Sequence, residues 1–329
     1  MLFYPNASGV LPFMYSLSTC WNSGRHTCGR EMLREIRSLG FEYSELSHGI
    51  RISLLPGILE AVDAGEIRIS TLHNFCPLPM GINWPAPNLF KFSAEDRRER
   101  DSALKHTLKT IETAHRVGAK LIVLHSGSAD LKSGSLFSRK VEYQEKLEEL
   151  VLAGKKDSDK YRKLVEDLEV RRERYKVEPM HRSLEMIKQL AEVAGEKGLL
   201  LGIENREDVE EIPFDHDLPE FLADLPENVR YWHDCGHAQI KENLGFILNH
   251  AHHVENLSKR LGGFHVHDVL QNEEGMHDHC PPGVGMIDYA AIRPMVKPEH
   301  IKVLEMSPGL PAEEVAKGFA HIKSVWGPE

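Results

Sequence analysis

Eight short β-type runs alternate with amphipathic segments from one end of the 329-residue sequence to the other. The predicted strands cover residues 13–19, 41–46, 67–73, 120–125, 199–205, 229–234, 262–268 and 301–306. Strict alternation of strands and helices predicts a parallel sheet, and eight such units allow that sheet to close into a (β/α)8 barrel. An open, doubly wound sheet is the alternative architecture.

The segments between the strands carry apolar residues three and four positions apart, for example Leu104, Leu108 and Ile111, as on the buried face of a helix. The predicted helices cover residues 29–39, 54–64, 94–117, 179–197, 218–225, 244–261, 289–295 and 312–325. Gly40 and Gly118 each follow a predicted helix, where a residue that tolerates positive φ is favoured.

The connection after the fourth strand is much longer than the others. Its residues 138–178 are rich in Glu, Lys and Arg and predict one or two additional helices. We therefore predict a single TIM-barrel domain, 1–329, that contains a charged helical insertion. A solvated insertion is the simpler interpretation, and a lid over the barrel mouth or a contact in a homo-oligomer is the alternative.

The formal net charge of −10 disfavours nucleic acid as a partner, since such binding depends on neutralising phosphates. The charge does not exclude a nuclease, because bound metal ions supply positive charge locally. No stretch approaches the roughly 20 apolar residues that span a bilayer, so no membrane partner is predicted. The 5 cysteines lack CxxC spacing and favour a reducing, cytoplasmic compartment.

Histidine is abundant, with 19 residues, and the predicted strands from the third to the eighth all end in His, Glu or Asp. These residues are His73, His125, Glu204, Asp234, His265 with His267, and Glu305. The active site of a parallel barrel lies at the C-terminal ends of its strands, so the side chains are expected to meet. Imidazole and carboxylate together favour a first-row divalent cation such as zinc or manganese.

Two short spacings extend this set beyond the strand ends. Asp234 and His237 are three residues apart and are expected to converge from one turn. His277 and His279 precede a Gly-x-Gly and are also candidate metal ligands. Because side chains alternate along a strand, His265 and His267 point to the same side, so that one can bind metal and the other substrate.

These strand endings, in this order, resemble the xylose isomerase-like TIM-barrel superfamily, which contains endonuclease IV and the sugar phosphate isomerases and epimerases. Glu204, Asp234 with His237, His265 and Glu305 are similar to the pattern of the epimerase branch. There the Glu, Asp, His and Glu hold one divalent metal, and the two glutamates also transfer protons. The resemblance implies a metal-dependent sugar or sugar-phosphate isomerase or epimerase that works through a metal-stabilised enediolate.

The endonuclease IV branch has further metal ligands, and the sequence has candidates for nearly all of them. His73, His125 and His279 match histidines of that branch, whereas His277 stands where that branch has an Asp. The resemblance therefore implies one to three ions, and a multinuclear phosphoesterase is the alternative function. The continuation of Glu204 as Asn-Arg-Glu departs from that branch.

Under the isomerase hypothesis the substrate is a small carbohydrate, with Glu204 and Glu305 as base and acid. His237 and Arg206 are predicted to hold substrate oxygens, although a salt-bridging arginine is an equally good interpretation of Arg206. Trp21 either forms a wall of the sugar pocket or packs in the core. A barrel that keeps its ligands only for stability is the third class.

Other histidines are not assigned to the site. His250, His252 and His253 fall in the helix predicted over 244–261 and are expected on a solvated or interfacial face. His48, after the second strand, is interpreted as an ordinary loop residue.

Overall fold

Eight strands form a closed parallel barrel in a computed structural model of the chain, which describes residues 13–131, 143–273 and 275–327. The barrel strands are β1 (Met14–Ser18), β2 (Tyr43–Leu46), β3 (Arg68–His73), β4 (Leu121–Leu124), β5 (Leu200–Glu204), β6 (Val229–Asp234), β7 (Leu261–Val266) and β10 (Ile301–Leu304). Their order around the barrel is β1-β10-β7-β6-β5-β4-β3-β2. The predicted (β/α)8 barrel is therefore confirmed, and the open sheet is excluded.

Helices connect the strands of the barrel. They are α1 (Gly29–Ser38), α2 (Leu55–Asp63), α3 (Arg97–Val117), α4 (Tyr143–Leu152), α5 (Asp159–Tyr175), α6 (Val177–Glu196), α7 (Leu218–Ala223), α8 (Cys235–Leu244), α9 (His250–Leu257), α10 (Tyr289–Ile292) and α11 (Ala312–Trp326). Asp96 caps α3 by accepting from the N–H of Arg98, and Gly118 ends it at a φ of 70°. None of the helices in the described residues is long and apolar enough to cross a membrane.

Three helices, α4, α5 and α6, lie between β4 and β5 in the described part of this connection. The predicted insertion, 138–178, includes α4 and α5, and its residues 138–142 lie outside the described part of the chain. Tyr161 Oη donates to the carbonyl of Leu244 at 2.6 Å, and Arg172 Nε donates to that of Val209 at 2.9 Å. α5 therefore contacts the chain that follows β5 and the end of α8.

A short antiparallel hairpin follows β7, formed by β8 (Asp268–Asn272) and β9 (Gly275–Cys280). The sequence prediction missed this hairpin and extended the seventh strand to residue 268, whereas β7 ends at Val266. The Asp268 carboxylate accepts the N–H groups of Gly283 at 2.9 Å and Gly285 at 3.0 Å. These bonds hold the loop that follows β9 against the first residue of β8.

The helix predicted over 244–261 is confirmed only for α9, which covers 250–257, and a second helix, α8, precedes it in the connection between β6 and β7. α8 begins directly at the end of β6, where Asp234 accepts from the N–H of His237 at 2.7 Å. It ends at Gly245, which has a φ of 81°, and Asn249 caps α9. The sequence prediction missed α8 because nearly all of its side chains are buried, so it shows no polar face.

A small apolar cluster of strand residues is separate from the main core: Met14, Leu121, Val123, Trp232, Ile301 and Val303. The Trp232 ring lies 5.2 Å from the ring of His265, which connects this cluster with the polar layer at the strand ends. A Cβ atom on Gly263 would lie 2.5 Å from the Trp232 ring, so the indole requires glycine there. The barrel interior is thus packed beneath the candidate site.

Candidate metal centre and active site

Glu204, Asp234, His265 and Glu305 come together at the C-terminal ends of β5, β6, β7 and β10. Each is buried, and one ligand atom from each lies within 4.8 Å of the others. Nδ1 of His265 is 2.7 Å from Oε1 of Glu204 and 3.0 Å from Oε2 of Glu305. The side chains on which the metal hypothesis depends therefore lie within reach of one ion.

The other oxygen of Glu204 belongs to a second donor group, with His73 and His125. Nε2 of His125 lies 2.8 Å from Glu204 Oε2, and Nε2 of His73 lies 3.5 Å from it. Glu204 thus stands between two sets of donors, one on each side of its carboxylate.

His125 provides a test of whether these residues fit a cation. Its Nδ1 is 2.7 Å from Asn88 Oδ1, while its buried Nε2 has no hydrogen-bond partner among the described residues despite its distance from Glu204. Burial, together with the charge of Arg206, lowers the pKa of His125 well below its usual value, so the ring is neutral. A neutral Nε2 lone pair that faces a carboxylate oxygen fits a cation held between them.

Further donors lie at the hairpin and the loop after β5. Two overlapping groups share Asp278: His267 and His279 in one, and Glu207 and His237 in the other. Nδ1 of His279 lies 3.0 Å from Asp278 Oδ2. Burial and the charge of Asp278 raise the pKa of Glu207 to about 7, because two carboxylates share this space.

His277 does not belong to any of these groups in the described residues, contrary to its predicted role as a ligand. It is exposed, and its Nε2 lies 3.0 Å from Asn272 Oδ1 within the hairpin. The backbone of His279 is left-handed, with a φ of 54°, which breaks the alternation of side chains along β9 and turns Asp278 and His279 to the donors together. Asp278, which the sequence analysis did not single out, is therefore the residue that the hairpin brings to the donors.

Arg206 is held against the donors by ionic contacts. Its Nη1 lies 3.3 Å from Glu204 Oε2, and its Nε lies 3.2 Å from Glu211 Oε1. Burial alone would raise the pKa of Glu204, but the charges of His265 and Arg206 bring it well below the usual range. Glu204 therefore remains a carboxylate at neutral pH.

Asp234 organises the two histidines that the sequence placed beside it. Its Oδ1 accepts from the backbone N–H of His237, and its Oδ2 lies 3.0 Å from Nε2 of His267. The N–H of His279 in turn donates to Nδ1 of His267 at 2.8 Å. A Cβ atom on Gly236 would lie 2.1 Å from the His267 ring, so this close packing requires glycine.

The structure also changes the interpretation of residues away from the donors. Trp21 is only 1% exposed and donates to the carbonyl of Leu310 at 2.8 Å, which agrees with core packing. His48 is not an ordinary loop residue, because its ring lies 4.7 Å from that of His73. The expectation of a solvated or interfacial face is wrong for His250 and His253, which are buried against His233 of β6, whereas His252 is exposed.

The sequence analysis missed three buried or half-buried acids near the donors: Glu45, Glu207 and Asp278. Glu45 had a usable signal, because β2 ends one residue after it, just as β7 ends one residue after His265. Glu207 and Asp278 had none, since their positions depend on the path of a loop and on the register of a hairpin.

A closed parallel barrel with His, Glu and Asp side chains gathered at the C-terminal ends of its strands defines a class of TIM barrels. The chain belongs to the xylose isomerase-like TIM barrel family, whose sequence profile matches residues 33–325. This match confirms the resemblance that the strand endings indicated. The comparison with curated proteins gives no significant match.

Solved structures similar to the chain include several epimerases. A D-tagatose 3-epimerase-like protein has 17% identity and a TM-score of 0.65, with 95% of this chain and 96% of that chain covered. D-psicose 3-epimerase from Clostridium cellulolyticum H10 has 14% identity and a TM-score of 0.63, with 95% and 99% covered. The 3-keto-D-glucoside 4-epimerase from E. coli has 14% identity and a TM-score of 0.62, with 95% and 99% covered. At these identities the similarity establishes the fold.

Proposed function

We propose that the chain is a divalent-metal-dependent sugar isomerase or epimerase that transfers a proton at a carbon next to a carbonyl group. Glu204, Asp234, His265 and Glu305 would hold the cation. When bound, a divalent cation would polarise adjacent substrate oxygens and so acidify the C–H bond between them. Zinc and manganese suit this mixture of imidazole and carboxylate.

The observation that carries the proposal is the placement of Glu204 and Glu305 around one histidine nitrogen. They reach within 2.7 Å and 3.0 Å of His265 Nδ1 from β5 and β10, strands that β6 and β7 separate in the barrel. Substrate bound among these donors would meet a carboxylate on two sides. One glutamate would remove the proton and the other would return it, as epimerisation requires.

Arg206 and His237 supply groups suited to substrate oxygens. Nη1 of Arg206 lies 3.2 Å from Nδ1 of His237, so the two side chains form one polar surface next to Glu204. Burial lowers the pKa of His237 to about 4, which keeps it neutral at pH 7 and able to accept or donate a hydrogen bond. The guanidinium supplies fixed donors to a developing negative oxygen.

The test is solvent-proton exchange on sugars. Metal-loaded protein is incubated with a panel of ketopentoses, ketohexoses and their phosphates in D2O, and NMR detects deuterium incorporation and new epimers. We expect exchange that Glu204→Gln and Glu305→Gln each reduce by at least about 1,000-fold, with the exposed Glu192→Gln as the unchanged control. Exchange that survives both substitutions would contradict the proposal.

A multinuclear phosphoester hydrolase is the second candidate, favoured by the shared position of Glu204 between two donor groups. Clustered ions would activate water and stabilise displacement at phosphorus. Elemental analysis of protein purified without added metal, together with an assay on bis(p-nitrophenyl) phosphate, separates the two functions. Two or three ions and diester cleavage that His125→Ala abolishes would favour the hydrolase. One ion and sugar exchange that survives His125→Ala would favour the epimerase.

A further inference from the structure

The His265 imidazole has a partner on its other edge, away from the donor group. Its Nδ1 faces Glu204 and Glu305, whereas its Nε2 lies 3.2 Å from Oε2 of Glu45. His265 and Glu45 are both fully buried. The ring thus links the candidate cation site with a carboxylate that belongs to none of the donor groups found in the described residues.

Glu45 is held in place by the two strands that flank β2. Ser18 Oγ on β1 donates to Oε1 at 2.9 Å, and Thr71 Oγ1 on β3 donates to Oε2 at 2.8 Å. Both residues are direct register partners of Glu45. The β2–β3 pairing shifts register between Ser44 and Glu45, an irregularity of the kind that redirects side chains near active sites.

These contacts fix the hydrogen of the imidazole. With a cation bound at Nδ1, Nε2 is the ring nitrogen that carries the hydrogen. The buried Glu45 carboxylate, which only accepts hydrogen bonds, lies 3.2 Å from Nε2 and is placed to accept that hydrogen. The same contact restricts rotation of the ring, because turning it by half would break the bond to Glu45.

We propose that Glu45 is a positioning residue that fixes the tautomer and the ring orientation with which His265 binds the cation. The inference rests on the proposed function to the extent that His265 is a cation ligand. Glu45 itself is not expected to touch cation or substrate. Partners that accept from a metal-binding histidine typically change metal affinity about 10- to 100-fold when they are removed.

A purely structural role for Glu45 predicts a different pattern of effects. Loss of its hydrogen bonds would then reduce stability and leave metal affinity unchanged. Ser16→Ala is a matched control, because Ser16 Oγ donates to Ser70 Oγ at 2.7 Å in the same barrel wall and does not itself bond to Glu45 or His265. Both hydroxyls of this control pair are buried.

The experiment measures Co²⁺ affinity by competition with a chelator in the full chain and its variants. We expect His265→Ala to lose the site, Glu45→Ala to bind about 10- to 100-fold more weakly, and Ser16→Ala to bind within about twofold of the wild type. Glu45→Gln keeps an acceptor oxygen and is expected to restore part of the affinity. Thr71→Val removes one support of Glu45 with little change of volume and serves if Glu45→Ala fails to fold.

A spectroscopic signal tests the tautomer directly. In the Co²⁺-loaded wild type, NMR should show a hyperfine-shifted N–H resonance from Nε2 of His265 that exchanges slowly with solvent. In Glu45→Ala this resonance should disappear, or its hydrogen should exchange faster. Wild type that binds no Co²⁺, or His265→Ala that binds as tightly, contradicts the proposed function and the inference together. Loss of binding in His265→Ala with wild-type affinity in Glu45→Gln, Glu45→Ala and Thr71→Val overturns the inference alone.

Discussion

Asn88 Oδ1 accepts from Nδ1 of His125 at 2.7 Å, which leaves Nε2 of that ring to face Glu204. Asn88 lies in the long connection between β3 and α3, so a residue far from the strand ends sets the tautomer of a candidate ligand. Nδ1–H bonded to an amide oxygen is a common way of orienting a metal-binding histidine.

This contact predicts the effect of Asn88→Ala on metal content. An ion held by His125, His73 and Glu204, as the hydrolase alternative requires, should bind about 10- to 100-fold more weakly in the variant, while an ion at His265 should be retained. Elemental analysis after dialysis at graded chelator concentrations measures how tightly each ion is held. The nearby exposed Trp84→Ala is the control. Equal loss of both ions in Asn88→Ala would show that the residue acts on the whole site and not on His125.

Arg206→Lys should affect substrate binding, because lysine cannot reproduce a guanidinium that contacts Glu204 and Glu211 together. With a sugar that undergoes exchange, we expect KM to rise by about tenfold and kcat to fall less. The control is Arg162→Lys, at an exposed arginine of α5. A fall in kcat at unchanged KM would instead show that Arg206 acts by keeping Glu204 ionised and not by binding substrate.

Asp268→Ala should destabilise the hairpin that carries Asp278 and His279. The carboxylate accepts four backbone N–H groups, from Val269, Gly283, Gly285 and Ile287. Loss of these bonds should lower the free energy of unfolding by about 3 kcal/mol, measured by urea denaturation. The exposed His277→Ala on the same hairpin is expected to change it by less than about 0.5 kcal/mol.

Glu35 predicts a pH dependence of stability outside the site. Burial alone would raise its pKa, but hydrogen bonds from Arg25, His26 and Asn22 lower it from 4.5 to about 2. The native state therefore binds fewer protons than the unfolded state between these values, so this stabilisation is complete above about pH 4.5 and disappears as the pH falls toward 2.

The measurement is urea denaturation of wild type and Glu35→Gln at pH 5 and pH 3. Because the Glu35 side chain is 32% exposed, we expect the difference in unfolding free energy between the two proteins to shrink by about 1 kcal/mol or less. A difference that is the same at both values would show that the ionic contacts of Glu35 do not stabilise the fold.

Local sequence patterns were sufficient to predict most of the barrel. β6 was predicted with its observed bounds, and the other barrel strands were predicted to within two residues at either end. A run of apolar residues predicts a buried strand, and a glycine such as Gly118 predicts the end of a helix. Both signals depend only on residues that are neighbours in the sequence. α8 could not be predicted in this way, because it is buried on nearly every side and its sequence therefore lacks the alternation of polar and apolar faces of a surface helix.

By itself the sequence determined the alternation of strands and helices and the His, Glu and Asp side chains at the strand ends, because both are encoded within a few residues. Only the tertiary structure decided which acids join them. Asp278 takes the place predicted for His277 because the backbone of β9 is left-handed at His279, and Glu45 lies against His265 where the β2–β3 pairing shifts register. Such choices depend on how distant strands align, and a shift of one residue turns each side chain to the opposite face.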